Sequence, residues 1–243
     1  MLQTSANSTL GVTFNDATTF NLTANARITV DSFVYEDGGK QNAALFDVAR
    51  GTVAFVAAAV AKTGDMKIST PTATLGIRGT TGLVEVPEGA SAAGANNVAI
   101  KLYPDPDGRV GRIEVNDRAG ARLGFLTQGA SGFTIRPGTG GRFAALPLVI
   151  SPQQALRDQG IVRQLHAAQS VGRRIVTQRR IQRLQNPARQ PDPQRQKGSP
   201  QRPPGLQRQP AAPGVLRPGL QNRPALRQRP AVLAPKRRPK DIR

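Results

Sequence analysis

The chain has 243 residues, 34 Lys+Arg against 15 Asp+Glu, and no cysteine, which excludes disulfides, cysteine-ligated metals, iron–sulfur clusters and thiol nucleophiles. Residues 1–150 carry 13 Lys+Arg and 12 Asp+Glu, a net of +1, while residues 151–243 carry 21 and 3, a net of +18, so the two parts sum to the +19 of the whole. All ten aromatics (eight Phe, two Tyr) lie at or before Phe143, so only the front can offset chain entropy by burying apolar surface at about 25 cal/mol per Å².

From the N-terminus, MLQTSANSTLGV shows neither a basic n-region nor an apolar h-region, so no secretory signal is visible. GVTFNDATTFNL alternates Val12 and Phe14, then Phe20 and Leu22, around Asn15–Asp16, a hairpin pattern. ARITVDSFVY sets Ile28 and Val30 on one face, with Phe33 and Tyr35 following after a change of register. GTVAFVAAAVAKTG reads as a strand through Val53 and Phe55 that ends at Gly64. Its apolar run, VAFVAAAVA at 53–61, has nine residues, under half of the roughly 20 needed to span a bilayer. Met66 and Ile68, then Ala73, Leu75 and Ile77, are spaced by two, and Pro71, lacking a donor, belongs at a strand start or edge. NVAIKLY, GRIEVN, ARLGFLTQ and GFTIRPG continue the strand-like series. Turn signals every 8–14 residues predict an all-β body over 1–148, a short solenoid- or sandwich-like stack of antiparallel strands.

At Ser151 the period changes. Ser151, Pro152 and Gln154 spell a capping box with proline at the first helical position. Ile161, Leu165, Ala168, Val171 and Ile175 then recur near 3.6, predicting one basic amphipathic helix over about 151–185, weakened at Gly160 and Gly172. Residues 186–243 hold 13 prolines, no aromatics and 14 Lys+Arg against 2 Asp, a composition that predicts a disordered tail.

The stretch TPTATLGIRGTTGLVEV poses the first functional question. A phosphate-cradling loop needs G-x-x-x-x-G-K-[ST] leading into a helix. Here the spacing differs, no lysine is present and the run continues as a strand. The residues instead suit a structural role, with Gly76 and Gly79 permitting close backbone approach or a bulge and Arg78 pairing with a carboxylate or carbonyls across neighbouring strands.

FDVARGTVAFV and KTGDMKISTPTATLGIRGTTGLVEV, with VTFNDATTFNLTANARITVDSFVYED before them, resemble the FecR domain. The likeness spans about residues 5–88, and its core over 46–86 includes Thr70, Pro71, Ala73, Gly76, Arg78, Gly79 and Thr80 as structural signature positions. The resemblance implies a non-enzymatic, extracytoplasmic module of the periplasm or cell envelope that relays a signal to an anti-sigma segment. The anti-sigma region and membrane span of that arrangement are missing from this sequence. The resemblance further implies strands upstream of the present start, so Val12 and Phe14 are expected to pair with little on their N-terminal side.

YPDPDGRVGRIE places Asp105, Asp107, Gly108 and Glu114 at calcium-loop positions 3, 5, 6 and 12, but Tyr103 stands at position 1, and a Pro-Asp-Gly turn explains the segment as well. RPGTGGRF, 136–143, reads as a loop handing the sheet over to the helix, or as a backbone anion nest. His166, the lone histidine, has Asp158 two turns away as its nearest acid in sequence and reads as a helix-surface residue. No catalytic residue, cofactor or metal is expected.

The basic C-terminal part supplies the remaining function. Arg173, Arg174, Arg179 and Arg180, with Lys236, Arg237 and Arg238, form a candidate anion-binding arm. A solvated spacer fits the same composition, and the lack of aromatics argues against base stacking. The expectation is an envelope binding, signalling or scaffold module whose partner is an unknown envelope protein or anionic polymer. The alternative is a regulator or non-specific nucleic-acid binder acting through the arm.

Overall fold

The structure, a computed structural model, describes residues 1–90, 97–138 and 142–185. The expected tail, including Lys236, Arg237 and Arg238, lies outside the described residues. The elements in order are β1 (Leu2–Gln3), β2 (Leu10–Thr13), β3 (Thr19–Leu22), β4 (Arg27–Val34), β5 (Ala43–Val56), α1 (Ala59–Thr63), β6 (Asp65–Ser69), β7 (Ala73–Arg78) and β8 (Thr81–Val86). They continue with β9 (Val98–Tyr103), β10 (Arg112–Asp117), β11 (Arg122–Leu126), β12 (Ser131–Pro137), β13 (Phe143–Pro147) and α2 (Pro152–Gln185). The protein is thus all-β in its body and is followed by one long helix.

Strand β5 organises the body because its two halves belong to different sheets. Ala43–Arg50 pairs with β4 and β6 in a sheet ordered β1-β4-β5-β6-β7-β10-β11. Gly51–Val56 pairs with β3 and β8 in a sheet ordered β2-β3-β5-β8-β9-β12-β13. The change of sheet falls at Gly51, whose φ of 83° and contact with the Ala26 backbone leave no room for a Cβ. On the far side β11 comes against β12 and β13, so the two sheets nearly close.

The predicted alternation is what fills the space between them. Met66, Ile68, Ala73, Leu75 and Ile77 are all fully buried. Phe14, Phe20, Phe33 and Phe46 pack ring against ring, with centroids 4.6 Å apart for Phe20–Phe46 and 4.7 Å for Phe14–Phe33. The β2–β3 hairpin forms as read, Val12 opposite Phe20, and β2 has no other strand partner among the described residues. The change of register in β4 is a bulge between Val30 and Ser32.

Four features depart from the sequence reading. The β5–β6 pair is parallel, where antiparallel strands were expected throughout. Residues 53–64 are not one strand: after Val56 the chain turns into α1, which buried Asp16 caps by accepting from the Val60 N–H at 3.1 Å. Asp16 also accepts from the Thr18 N–H and hydroxyl at 2.7 and 2.6 Å, so a residue read as a hairpin turn serves a second element. RPGTGGRF joins β12 to β13 instead of leading to α2, its centre (139–141) lying outside the described residues. On α2 the buried face runs through Asp158, Leu165, Gln169 and Gly172, whereas Val171 and Ile175 are 57% and 45% exposed. The helix wraps the sheet along the 165–169–172 line, which leaves 171 and 175 facing outward.

Candidate functional site at the seam of helix and sheet

The signature residues gather around the ends of β7. Thr70 is buried, and its hydroxyl bonds the Ala73 carbonyl at 2.9 Å and accepts from the Ala73 N–H at 3.0 Å, closing the turn that admits Pro71. Arg118 Nη1 donates to the Thr70 carbonyl at 2.9 Å. Arg78 is exposed at the end of β7, where Nη1 donates to the Gly64 carbonyl at 2.8 Å and Nη2 lies 3.8 Å from Asp65. It ties β7 to the junction of α1 and β6. Gly79 has φ of 51°, and buried Thr80 accepts from the Gly111 N–H at 3.2 Å. The close backbone approach occurs at Gly111, packed on the Arg78 and Gly79 carbonyls, while a Cβ at Gly76 would meet only Glu114 at 3.7 Å.

Charge chemistry concentrates where α2 lies on the second sheet. β9 is buried at every position except Ala99 because α2 covers its outer face. Ile161, Val162 and Leu165 pack there on Ala54, Val56, Leu83 and Tyr103, a second small core. Lys101 is 1% exposed in this layer. Its ammonium donates to Asp158 at 2.8 Å and Glu85 at 2.9 Å, and the Tyr103 hydroxyl donates to the same Asp158 oxygen at 2.6 Å. Burial first, then the bond to Asp158, pushes the Tyr103 hydroxyl pKa well up. The arrangement is a closed network: each ion has an opposite charge or a hydrogen bond, as burial requires.

About two turns along the helix from Asp158, His166 Nε2 lies 3.2 Å from the Thr81 hydroxyl, which donates to Asp105 at 2.7 Å. His166 is therefore half-buried in the seam and not simply on the helix surface. Burial lowers its pKa, opposed by the Asp105 charge, and burial raises that of Asp105. With its proton committed to Asp105, the Thr81 hydroxyl is an acceptor toward His166 and is not primed as a nucleophile.

The YPDPDGRVGRIE segment closes as a turn, Gly108 N–H to the Asp105 carbonyl and Asp105 N–H to the Arg109 carbonyl, both at 2.8 Å. Glu114 stands on β10 paired with Arg122 at 3.2 Å. Arg173, Arg174, Arg179 and Arg180 are exposed on α2, and Arg180 pairs with Asp37. Pairing of Lys101 with Asp158 has one sequence signal, a lysine inside an otherwise apolar strand and a single acid among the seven arginines of α2.

Comparison with known proteins gives a match over the front of the chain. Residues 1–99 match the family model described as FecR protein. No curated protein matches the chain. Two crystal structures of a protein from Parabacteroides distasonis ATCC 8503, described as a "putative anti-sigma factor", superpose with TM-scores of 0.42 and 0.41 at 14% and 13% identity. Each alignment covers 60% of this chain and 58% of the other, so the present chain spans less than two thirds of that protein's length.

Proposed function

We propose that this chain, whose residues 1–99 carry a FecR domain, is a signalling or regulatory module of the cell envelope that performs no catalysis and meets anionic surfaces through its basic C-terminal part. The supporting observation is the partition of charge. A body of net +1 is followed by 93 residues of net +18, and on α2 the lone acid, Asp158, is buried while Arg173, Arg174 and Arg179 face solvent. The helix therefore presents cations outward and uses its carboxylate inward. Such a surface attracts polyanions over a Debye length of about 8 Å at physiological salt. Among the described residues, no helix is long and apolar enough to cross a membrane.

The test is sedimentation of the full chain with phosphatidylglycerol vesicles across a salt series, beside a chain ending at residue 185 and a duplex DNA titration. Vesicle binding that weakens with salt and is lost on truncation supports the reading. Binding of DNA at physiological salt with no binding to vesicles favours the nucleic-acid alternative. Fractionation of cells that finds the native protein only in cytosol contradicts the envelope placement.

A further inference from the structure

The segment that joins the last strand to α2 is apolar where it meets solvent. Leu146 is 45% exposed, Val149 88% and Leu156 69%. Beside them runs a groove of about 510 Å³ whose apolar walls are Pro104, Ala130, Ile150, Ala155 and Val162. Val149 directly precedes Ile150 in that wall, and Leu156 shares a helix face with Gln159, which lines the groove three positions on. Single exposed apolar side chains are ordinary on a protein surface. Several of them around one hollow mark a place where another molecule docks.

Charge narrows what can cover this patch. Of the twenty residues from Phe143 to Val162 only Arg157 and Asp158 are charged, and Asp158 is buried against Lys101. Arg157 lies about 100° round the helix from Leu156. Arg163 is exposed at the rim, where its stem can pack while its head stays in water. So bare a patch has little to select a charged partner with. It does hold projections and a hollow side by side, the self-complementary form that a twofold contact between identical chains requires. The net charge of +19 opposes such a contact unless the cations are kept apart. Two copies of α2 crossing antiparallel at Gln159 do keep them apart. The arginine clusters that begin at Arg173 then start about 21 Å from the crossing and point away from each other, more than two Debye lengths of about 8 Å each.

We propose that this groove is the contact of a twofold homodimer, Val149 and Leu156 of each copy seating in the hollow of the other. A handful of apolar side chains with no buried ion pair supports a weak, reversible dimer in the micromolar range and not an obligate one. The contact uses a flank of α2 that the sheet leaves free, so the Lys101–Asp158 pair stays as it is. On the reading given above for the basic part, a dimer engages a polyanion through two such segments at once.

The test is sedimentation velocity of the full chain, freed of nucleic acid, from about 1 to 500 μM. A monomer–dimer equilibrium is expected that tightens as salt rises from about 0.15 to 0.5 M, because screening removes repulsion between like-charged copies. A dimer that falls apart with salt is one bridged by a polyanion, and overturns the contact. Leu156→Lys and, separately, Val149→Lys are each expected to weaken dimerisation about tenfold or more. Val171→Lys adds the same charge to an exposed position about 18 Å from the crossing and is expected to change it far less. Because the chain has no cysteine, Gln159→Cys is expected to cross-link to its own copy under mild oxidation, and Gln178→Cys is not. A monomer at every concentration assigns the patch to some other partner and overturns the proposal. So does a dimer indifferent to both lysine variants at the groove, or one that cross-links through residue 178 and not through 159.

Discussion

Lys101 reaches Asp158 across 57 residues of sequence, and both are almost fully buried. Burying either one without the other is costly, because stripping water from a single charge costs more than its packing returns. Lys101→Met is therefore expected to cost about 3–5 kcal/mol by stranding the Asp158 carboxylate. Adding Asp158→Asn to that variant should recover most of the loss, since the amide still accepts from Tyr103 without leaving a charge. Urea unfolding of the wild type, the two single variants and the pair measures this. A pair that adds as two independent losses would show that the ions do not act as a unit. Beyond the hint of a lone lysine in an apolar strand and a lone acid on α2, the sequence could not join these residues, because period and spacing report only on neighbours and this contact depends on where α2 lands. Arg78 contrasts with them: the signature around it and its strand position were legible, since Thr70, Pro71 and Gly79 impose their turns locally.

At the level of elements, α2 shows how one helix can contain two opposite glycines. Gly160 has nothing within 4 Å of where a Cβ would sit, while a Cβ on Gly172 would overlap the Thr13 side chain of β2. Gly160→Ala is expected to stabilise by about 1 kcal/mol through helix propensity. Gly172→Ala gains the same propensity but pushes the helix off the sheet, so its net effect should be a loss. Thermal melts of the two variants should move in opposite directions. The capping box that starts this helix was readable from Ser151 and Gln154, and both of its bonds are present, at 3.1 and 3.3 Å. The strands were readable wherever small or branched residues alternated. Helix α1 was not, because VAFVAAAVA is apolar at every position and carries no period to separate strand from helix. β13, FAALP, escaped for a related reason: it is short and has no β-branched residue to mark it as a strand.

Over the whole molecule, protonation couples the seam to stability. Burial depresses the folded-state pKa of His166 below 6.5, while in the unfolded chain it titrates near that value. The unfolded state then binds more protons in this window, so stability is intact above pH 6.5 and falls as pH drops through the folded value. Asp47 and Asp105 act with the other sign. Their carboxyls are raised above 3.8, chiefly by burial, so the folded chain holds protons there that the unfolded chain has lost, and stability declines as pH rises through that window. His166→Gln is accordingly expected to gain on the wild type in urea midpoint as pH falls below 6.5, with a constant difference above it. A difference that stays constant down to pH 5 would show that His166 keeps its ordinary titration in the folded chain.

Asp158 is the sole acid on α2, and that scarcity governs how the helix can move. Sliding α2 by one turn would bring Gln154 or Val162 over the Lys101 ammonium, leaving it Glu85 alone and stripping Asp158 of its lysine. Intermediate positions are therefore uphill in both directions, and the helix behaves as a key with a single tooth. It is seated or it is released, so any signal acting on this seam would be passed on as a discrete step and not as a graded shift.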